Sequence, residues 1–132
     1  MVSFSESAEF KQRSNRQVWR FELVGPVGRL YRAYFLRRPD DRGLRHWINT
    51  GMPLGAVSDT LAHSIEFLNR YGTLTNEEFV QLVYRNVLGR RAEDDGYRYW
   101  LDQLRRRKPR GNIMLGFSNS IEFIRKVESL TP

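Results

Sequence analysis

Two stretches of the chain decide its fold because they repeat each other. Tyr31–Trp47 reads YRAYFLRRPDDRGLRHW, and Tyr84–Trp100 reads YRNVLGRRAEDDGYRYW. Aligned without gaps at an offset of 53 residues, the two stretches are identical at eight positions. Identities this dense at one register indicate an internal repeat. The identical residues of the first stretch are Tyr31, Arg32, Arg37, Arg38, Asp41, Gly43, Arg45 and Trp47.

A second string supports the repeat and extends it. LAHSIEF ends at Phe67 and FSNSIEF ends at Phe123, so the offset grows to 56 residues in this part of the chain. A third version, FSESAEF, occupies Phe4–Phe10 at the start of the sequence. We therefore expect the chain to begin with the end of a preceding copy. The predicted organisation is an N-terminal helix and connecting segment, repeat 1 and repeat 2, over residues 1–26, 27–74 and 75–132.

The spacing of apolar residues predicts helices and no strands. Apolar side chains recur at steps of three and four from Leu54 to Leu68, which places them on one helical stripe. Thr75 followed by Glu78 fits a capping box at the start of another helix. Gly89 suits a left-handed helix end, whereas Leu36 stands at the same place in repeat 1, so we expect that end to differ. The predicted fold is all-α, with two tandem three-helix repeats packed into one bundle and a remnant helix of a third copy.

Composition excludes several classes of protein. The 132 residues have room for one domain or for a few small repeats. They carry 22 Lys+Arg against 15 Asp+Glu, a net charge of +7, and 40% hydrophobic residues, which is too many for a disordered tail. The absence of cysteine excludes a disulfide scaffold, a cysteine zinc finger and a thiolate nucleophile. No apolar run approaches the ~20 residues of a membrane span, and the polar, acidic opening is unlike a signal peptide.

The repeated signature residues have two interpretations. The structural one places the aspartates at a helix N-terminus, buries the tryptophans, packs a neighbour against the glycines, and pairs Glu66 with Arg37 or Arg38. The functional one makes an Arg–Asp–Trp ligand pocket, or uses one glutamate per repeat to help bind a cation. The structural interpretation is favoured because both copies contain these residues. The residues concerned are Arg37, Asp41, Gly43, Trp47, Glu66, Arg90, Asp94, Gly96, Trp100 and Glu122.

The densest basic run is the candidate anion-binding site. It consists of Arg105, Arg106, Arg107, Lys108 and Arg110, which are five of six consecutive residues. The first copy has no such run, so the fold does not require it. Arginine recognises oxyanions through two hydrogen bonds. A phosphate, an anionic surface polymer, an acidic protein face and nucleic acid are all candidate partners, and a solvated loop is the alternative.

Signatures of enzymes are largely missing. His46 and His63 are the only histidines, and neither recurs at the equivalent position of the other copy. There is no Gly-rich phosphate loop, no Gly-x-Ser-x-Gly and no His-Glu-x-x-His. We therefore expect a non-catalytic chain with no cofactor and no bound metal.

The second copy resembles a known family. Its segments 84–90, 94–100 and 116–123 closely resemble the bacterial domain of unknown function 4214, and the first copy resembles it less well. The resemblance implies an α-helical module, often in tandem, within large bacterial surface or secreted proteins. The family is also distantly similar to the helical linker domain of phycobilisomes, which implies a scaffolding role. It implies no catalytic residue.

These observations together predict an interaction or spacer module of a larger bacterial protein. The module would be extracellular or associated with the cell envelope, although a cytoplasmic location stays open. Its partners would be neighbouring repeats and a protein or an anionic cell-envelope glycan. The alternative is a nucleic-acid-binding module that uses the run from Arg105 to Arg110.

Overall fold

The fold is all-α, as predicted. The structure, a computed structural model, describes residues 24–130, so the string at Phe4–Phe10 and most of segment 1–26 lie outside the described residues. Within residues 24–130 there are eight helices and no strand. They are α1 (24–35), α2 (Asp41–Thr50), α3 (Leu54–Ala62), α4 (Ile65–Tyr71), α5 (Asn76–Val83, continued by a π-helical turn over Tyr84–Leu88), α6 (Asp94–Arg105), α7 (Arg110–Ser118) and α8 (Ile121–Ser129).

Each unit contains four helices rather than the three predicted. The helix expected to run from Leu54 to Leu68 is broken, because Ser64 begins a new helix by accepting a hydrogen bond from the Phe67 backbone N–H at 3.1 Å. Ser120 accepts the equivalent bond from Phe123 at 3.2 Å. A serine hydroxyl satisfies an otherwise free N–H at a helix start, which makes serine a preferred N-cap. We call α1–α4 the first unit and α5–α8 the second unit, and α2 and α6 the signature helices.

The ends of the first helices contradict a second expectation. Leu36 has φ of 58° and Gly89 has φ of 66°, so both residues are left-handed. Their backbone N–H groups donate to Arg32 O at 3.1 Å and to Arg85 O at 3.2 Å, respectively. The two helices therefore end in the same way, although Leu36 carries a side chain that disfavours this conformation by ~1–2 kcal/mol. The expectation that repeat 1 would end differently was wrong, because the tertiary structure overrides the local preference of leucine.

The two units meet where α3 packs along α7. Gly111 lies so close to α3 that a methyl group on it would overlap the backbone N and Cα of Asp59. The buried Ser58 hydroxyl donates to Gly111 O at 2.6 Å and hydrogen-bonds to the Tyr34 hydroxyl at 3.0 Å. Burial raises the pKa of Tyr34, which stays a neutral phenol in this interface. The interface therefore depends on a glycine that no side chain can replace.

The core continues across the units through their first and last helices. Phe67 of α4 packs against Phe79 of α5 with ring centroids 6.4 Å apart, and the buried Asn86 amide donates to Ala33 O at 2.9 Å. At the other end of the chain, the Arg29 guanidinium of α1 donates to Ser118 O at 3.2 Å, just before α8. The last helix of each unit thus lies beside the first helix of the other unit, and the two units form a closed pair.

Candidate functional site

In the first unit the signature residues hold a tyrosine. The indole N–H of Trp47 donates to the hydroxyl of Tyr31 at 2.8 Å. Gly43 lies beside that hydroxyl: a Cβ at this position would lie at a contact distance of 3.4 Å from it and 3.2 Å from Asp40 Oδ1. The glycine, the tryptophan and the tyrosine therefore join α2 to α1. The sequence predicted a close neighbour for Gly43 but did not identify Tyr31 as that neighbour.

In the second unit the same residues make different contacts. A Cβ on Gly96 would lie only 2.5 Å from the hydroxyl of Tyr84. The Trp100 ring packs on Phe117 with centroids 5.3 Å apart, and Phe117 packs on Tyr84 at 5.2 Å. Tyr84 opens the π-helical turn of α5. The second signature is thus an aromatic cluster, whereas the first is built on a hydrogen bond.

The recurring glutamates pair with the recurring arginines. Arg37 binds Glu66 through two hydrogen bonds of 2.7 and 3.0 Å, and the hydrogen bonding raises the pKa of Arg37. Arg90 binds Glu122 through one contact of 3.2 Å. The structure therefore shows the expected pairing of Glu66 with Arg37. Neither glutamate belongs to a group of three or more metal-binding side chains, and no such group occurs within residues 24–130.

The aspartates of the signature stay apart from this pair. Asp40 caps α2 by accepting from the Gly43 N–H at 2.7 Å. Asp41 and Asp94 lie in the first turns of the signature helices and are exposed. Within the described part of the chain, no hydrogen bond or ion pair reaches either carboxylate. These aspartates are therefore not tied to the signature arginines, and the alternative Arg–Asp–Trp ligand pocket stays a prediction.

The candidate anion site loses one member. Arg110 donates to Leu74 O at 2.9 Å and to Asn76 Oδ1 at 3.0 Å, and its guanidinium lies 5.1 Å from the centroid of the Phe79 ring. Arg110 is half-buried, and this burial lowers the pKa of its guanidinium. Arg110 therefore joins α7 to the start of α5 within the second unit instead of contributing to an exposed basic surface.

The rest of the run forms an ordered, exposed turn. Arg107 is left-handed, with φ of 67°, and the Lys108 N–H donates to Gln103 O at 3.1 Å across the end of α6. Arg106 pairs with Asp102 at 2.9 Å. Arg105, Arg107 and Lys108 are exposed and make no side-chain hydrogen bond or ion pair with residues 24–130. We call residues Arg105–Lys108 the basic turn.

Sequence reasoning missed two grooves. The first groove lies between α1, α2 and α8 and encloses about 400 Å³. The second lies between α4, α5 and α6 and encloses about 530 Å³. Arg32 and Arg38 line the first groove, and their repeat equivalents Arg85 and Arg91 line the second. These arginines are among the eight positions that are identical in the two copies, but the sequence did not show which of those positions share a surface.

The family model described as Domain of unknown function (DUF4214) matches residues 58–127, from within α3 through most of α8. No curated protein and no solved structure matches the chain. No helix of the described part is long and apolar enough to cross a membrane. The tandem arrangement of family copies and the likeness to phycobilisome linkers stay predictions. Because the match covers more than half of its residues, the chain belongs to the DUF4214 family.

Proposed function

We propose that the chain is a non-catalytic interaction module of a larger bacterial surface-associated or secreted protein. In this proposal the basic turn binds an acidic protein face or an anionic cell-envelope polymer. The observation that carries it is the set of three exposed cations, Arg105, Arg107 and Lys108, which have no partner among residues 24–130. The turn that presents them is held by backbone hydrogen bonds, so its backbone needs little ordering on binding.

The use of the other polar groups supports a binding role over catalysis. The Ser64 hydroxyl caps α4 and donates to Leu61 O at 2.8 Å, so it is engaged by the backbone. His63 hydrogen-bonds to Asp59 O at 2.8 Å, and the Asp59 carboxylate accepts from the Gly111 N–H at 3.1 Å. These groups stabilise helix ends and the interface between the units, which agrees with a scaffold.

The test is a binding titration with two polyanions, polyglutamate and polyglycerol phosphate. The R105A/R107A/K108A variant should bind both at least about tenfold more weakly at low salt, because three cationic contacts are removed. The matched control is R42A/R98A/R125A, which removes the same charge from exposed positions elsewhere. It should stay within about twofold of the parent chain. Equal losses in both variants, or no binding by the parent chain, would overturn the proposal.

A nucleic acid is the competing partner for the same turn. On duplex DNA, the three free cations of the basic turn allow a plot of log K against log salt concentration that is no steeper than about −3. If the duplex binds much more tightly than polyglutamate at equal salt and R105A/R107A/K108A abolishes that binding, the partner is a nucleic acid. Weak binding of the duplex, comparable to that of polyglutamate, favours the protein or envelope polymer.

A further inference from the structure

The two grooves occupy equivalent places in the two units. Each is bounded by the first helix and the signature helix of one unit and by the last helix of the other unit. Leu44 in the first groove stands where Tyr97 stands in the second, and Val127 stands where Tyr71 stands. The offsets of the sequence repeat, 53 and 56 residues, relate both pairs. The pairing of the two units therefore forms two grooves that are lined by equivalent positions of the repeat.

Only the arginines are the same in both grooves. Eight pairs of equivalent positions line both surfaces, and six of these pairs differ in residue type. The two identical pairs are Arg32 with Arg85 and Arg38 with Arg91. The walls have thus diverged while the guanidinium groups have stayed, which is the pattern of a duplicated binding group with altered surroundings.

The described part of the fold does not use these four guanidinium groups. Within residues 24–130, their side chains make no hydrogen bond and no ion pair, whereas the adjacent Arg37 and Arg90 are bound by glutamates. Three carboxylates also line the grooves, Glu128 in the first and Glu77 and Glu78 in the second. Glu78 of the second groove accepts from the Thr75 N–H at 2.9 Å, and Glu128 of the first groove lies near Arg29. Two arginines per groove therefore lie beside carboxylates but form no ion pair with them within residues 24–130.

We propose that the grooves are a duplicated site for a small ligand that carries a carboxylate or phosphate on an apolar body. Guanidinium groups bind both kinds of oxyanion through paired hydrogen bonds. The apolar walls, Leu44 with Val127 and Tyr97 with Tyr71, would contact the rest of the ligand. The volumes of about 400 and 530 Å³ are in the range of small-molecule sites.

Three aromatic probes of matched size test the proposal by ¹H–¹⁵N NMR titration of the full chain. They are phenyl phosphate, phenylacetate and the neutral 2-phenylethanol. Amide signals near Arg32 and Arg85 should shift with at least one anionic probe and should shift little with the alcohol. The stronger of the two anions identifies the head group as phosphate or carboxylate, and either result supports the proposal.

Variants assign the shifts to each groove. R85Q/R91Q should weaken binding at the second groove by about tenfold or more while leaving the first groove unchanged, because bonds to charged partners are strong. R32Q/R38Q should have the opposite pattern. The control R98Q changes an exposed arginine of α6 outside both grooves and should change neither.

Three results would overturn the proposal: equal shifts with the neutral alcohol, shifts confined to the basic turn, and binding at one groove alone. The site is independent of the basic turn, so the R105A/R107A/K108A variant should keep its affinity for the anionic probe. R85Q/R91Q should in turn keep its affinity for polyglutamate. Failure of one proposal is therefore distinguishable from failure of the other.

Discussion

The two units place the same tryptophan in different surroundings. In the first unit, Trp47 donates a hydrogen bond of 2.8 Å to Tyr31. In the second, Trp100 packs on the ring of Phe117 and no described group accepts from its indole. Leu61 occupies the place of Phe117 in the first unit, so the aromatic cluster cannot form there. The difference teaches that the signature fixes which helices meet, while residues outside it decide how the contact is made.

The left-handed residues give a second contrast. The first helix ends at Leu36 in one unit and at Gly89 in the other. The left-handed residue after the signature helix is Gly51 in the first unit and Arg107 in the second. Each unit therefore has glycine at one left-handed position and a strained residue at the other. The left-handed backbone conformation occurs at equivalent positions of both units, and glycine only lowers the conformational strain there.

The largest expected effect on stability comes from comparing the two equivalent glycines at the interface between α3 and α7. G111A should destabilise the chain by about 3 kcal/mol, because the added methyl meets the backbone of Asp59, which cannot move without its helix. G55A is the matched change, since its methyl meets only the side-chain oxygen of Asn112 at 2.9 Å. The higher helix propensity of alanine offsets that contact, so we expect a net change near zero. Urea unfolding measures both, and equal losses would contradict the close approach of the helices.

A smaller effect separates the two signature glycines. G96A should cost about 1–2 kcal/mol, because the methyl would lie 2.5 Å from the hydroxyl of Tyr84. Y84F removes that hydroxyl and should recover most of the loss in the double variant. G43A should cost less, since its nearest neighbours are 3.2 and 3.4 Å away. A double-mutant cycle by thermal unfolding measures the coupling, and an additive result would argue against the contact.

The left-handed positions predict changes of opposite sign. L36G and R107G should each stabilise the chain by about 0.5–1 kcal/mol, because glycine adopts positive φ without strain. G89A and G51A should each destabilise it by about 1 kcal/mol for the same reason. Leu36 is 58% exposed, so its replacement removes little packing. Destabilisation by both glycine variants would show that the side chains of Leu36 and Arg107 contribute more than the strain.

The smallest effect compares the two ion pairs. A double-mutant cycle on Arg37 and Glu66 should give a coupling of about 0.5 kcal/mol, because the pair is partly exposed but held by two hydrogen bonds. The pair of Arg90 and Glu122 has one longer contact and should give less. Both couplings should fall in about 1 M NaCl. An Arg90–Glu122 coupling larger than that of Arg37–Glu66 would reverse the comparison.

The sequence predicted what depends on local pattern. The helices follow from apolar spacing, and the capping box of Thr75 with Glu78 is present as expected. The start of α4 at Ser64 was missed because the same apolar stripe continues across the break. Nothing local distinguishes a serine that caps a helix from a serine within one. The left-handed conformation of Leu36 was also missed. Leucine disfavours this conformation locally, but the tertiary packing imposes it.

The candidate site was harder to predict because its contacts are long-range. Arg110 lies in a basic run by sequence but binds Leu74 and Asn76, which are 36 and 34 positions away. In the repeat alignment, three arginines of the first copy have arginine equivalents in the second: Arg32 with Arg85, Arg37 with Arg90, and Arg38 with Arg91. Only the fold shows that Arg37 is bound by Glu66 while the other two line a groove.

The return of α8 to α1 brings the two ends of the described chain together, since Val24 and Glu128 line the same groove. A chain with adjoining ends tolerates a change in the order of its parts. A circular permutant that joins residue 130 to residue 24 and opens at Gly72, in the exposed connection between the units, should fold to the same core. The same geometry would let residues 24–130 be inserted into a surface loop of a host domain, with the chain entering and leaving at neighbouring points.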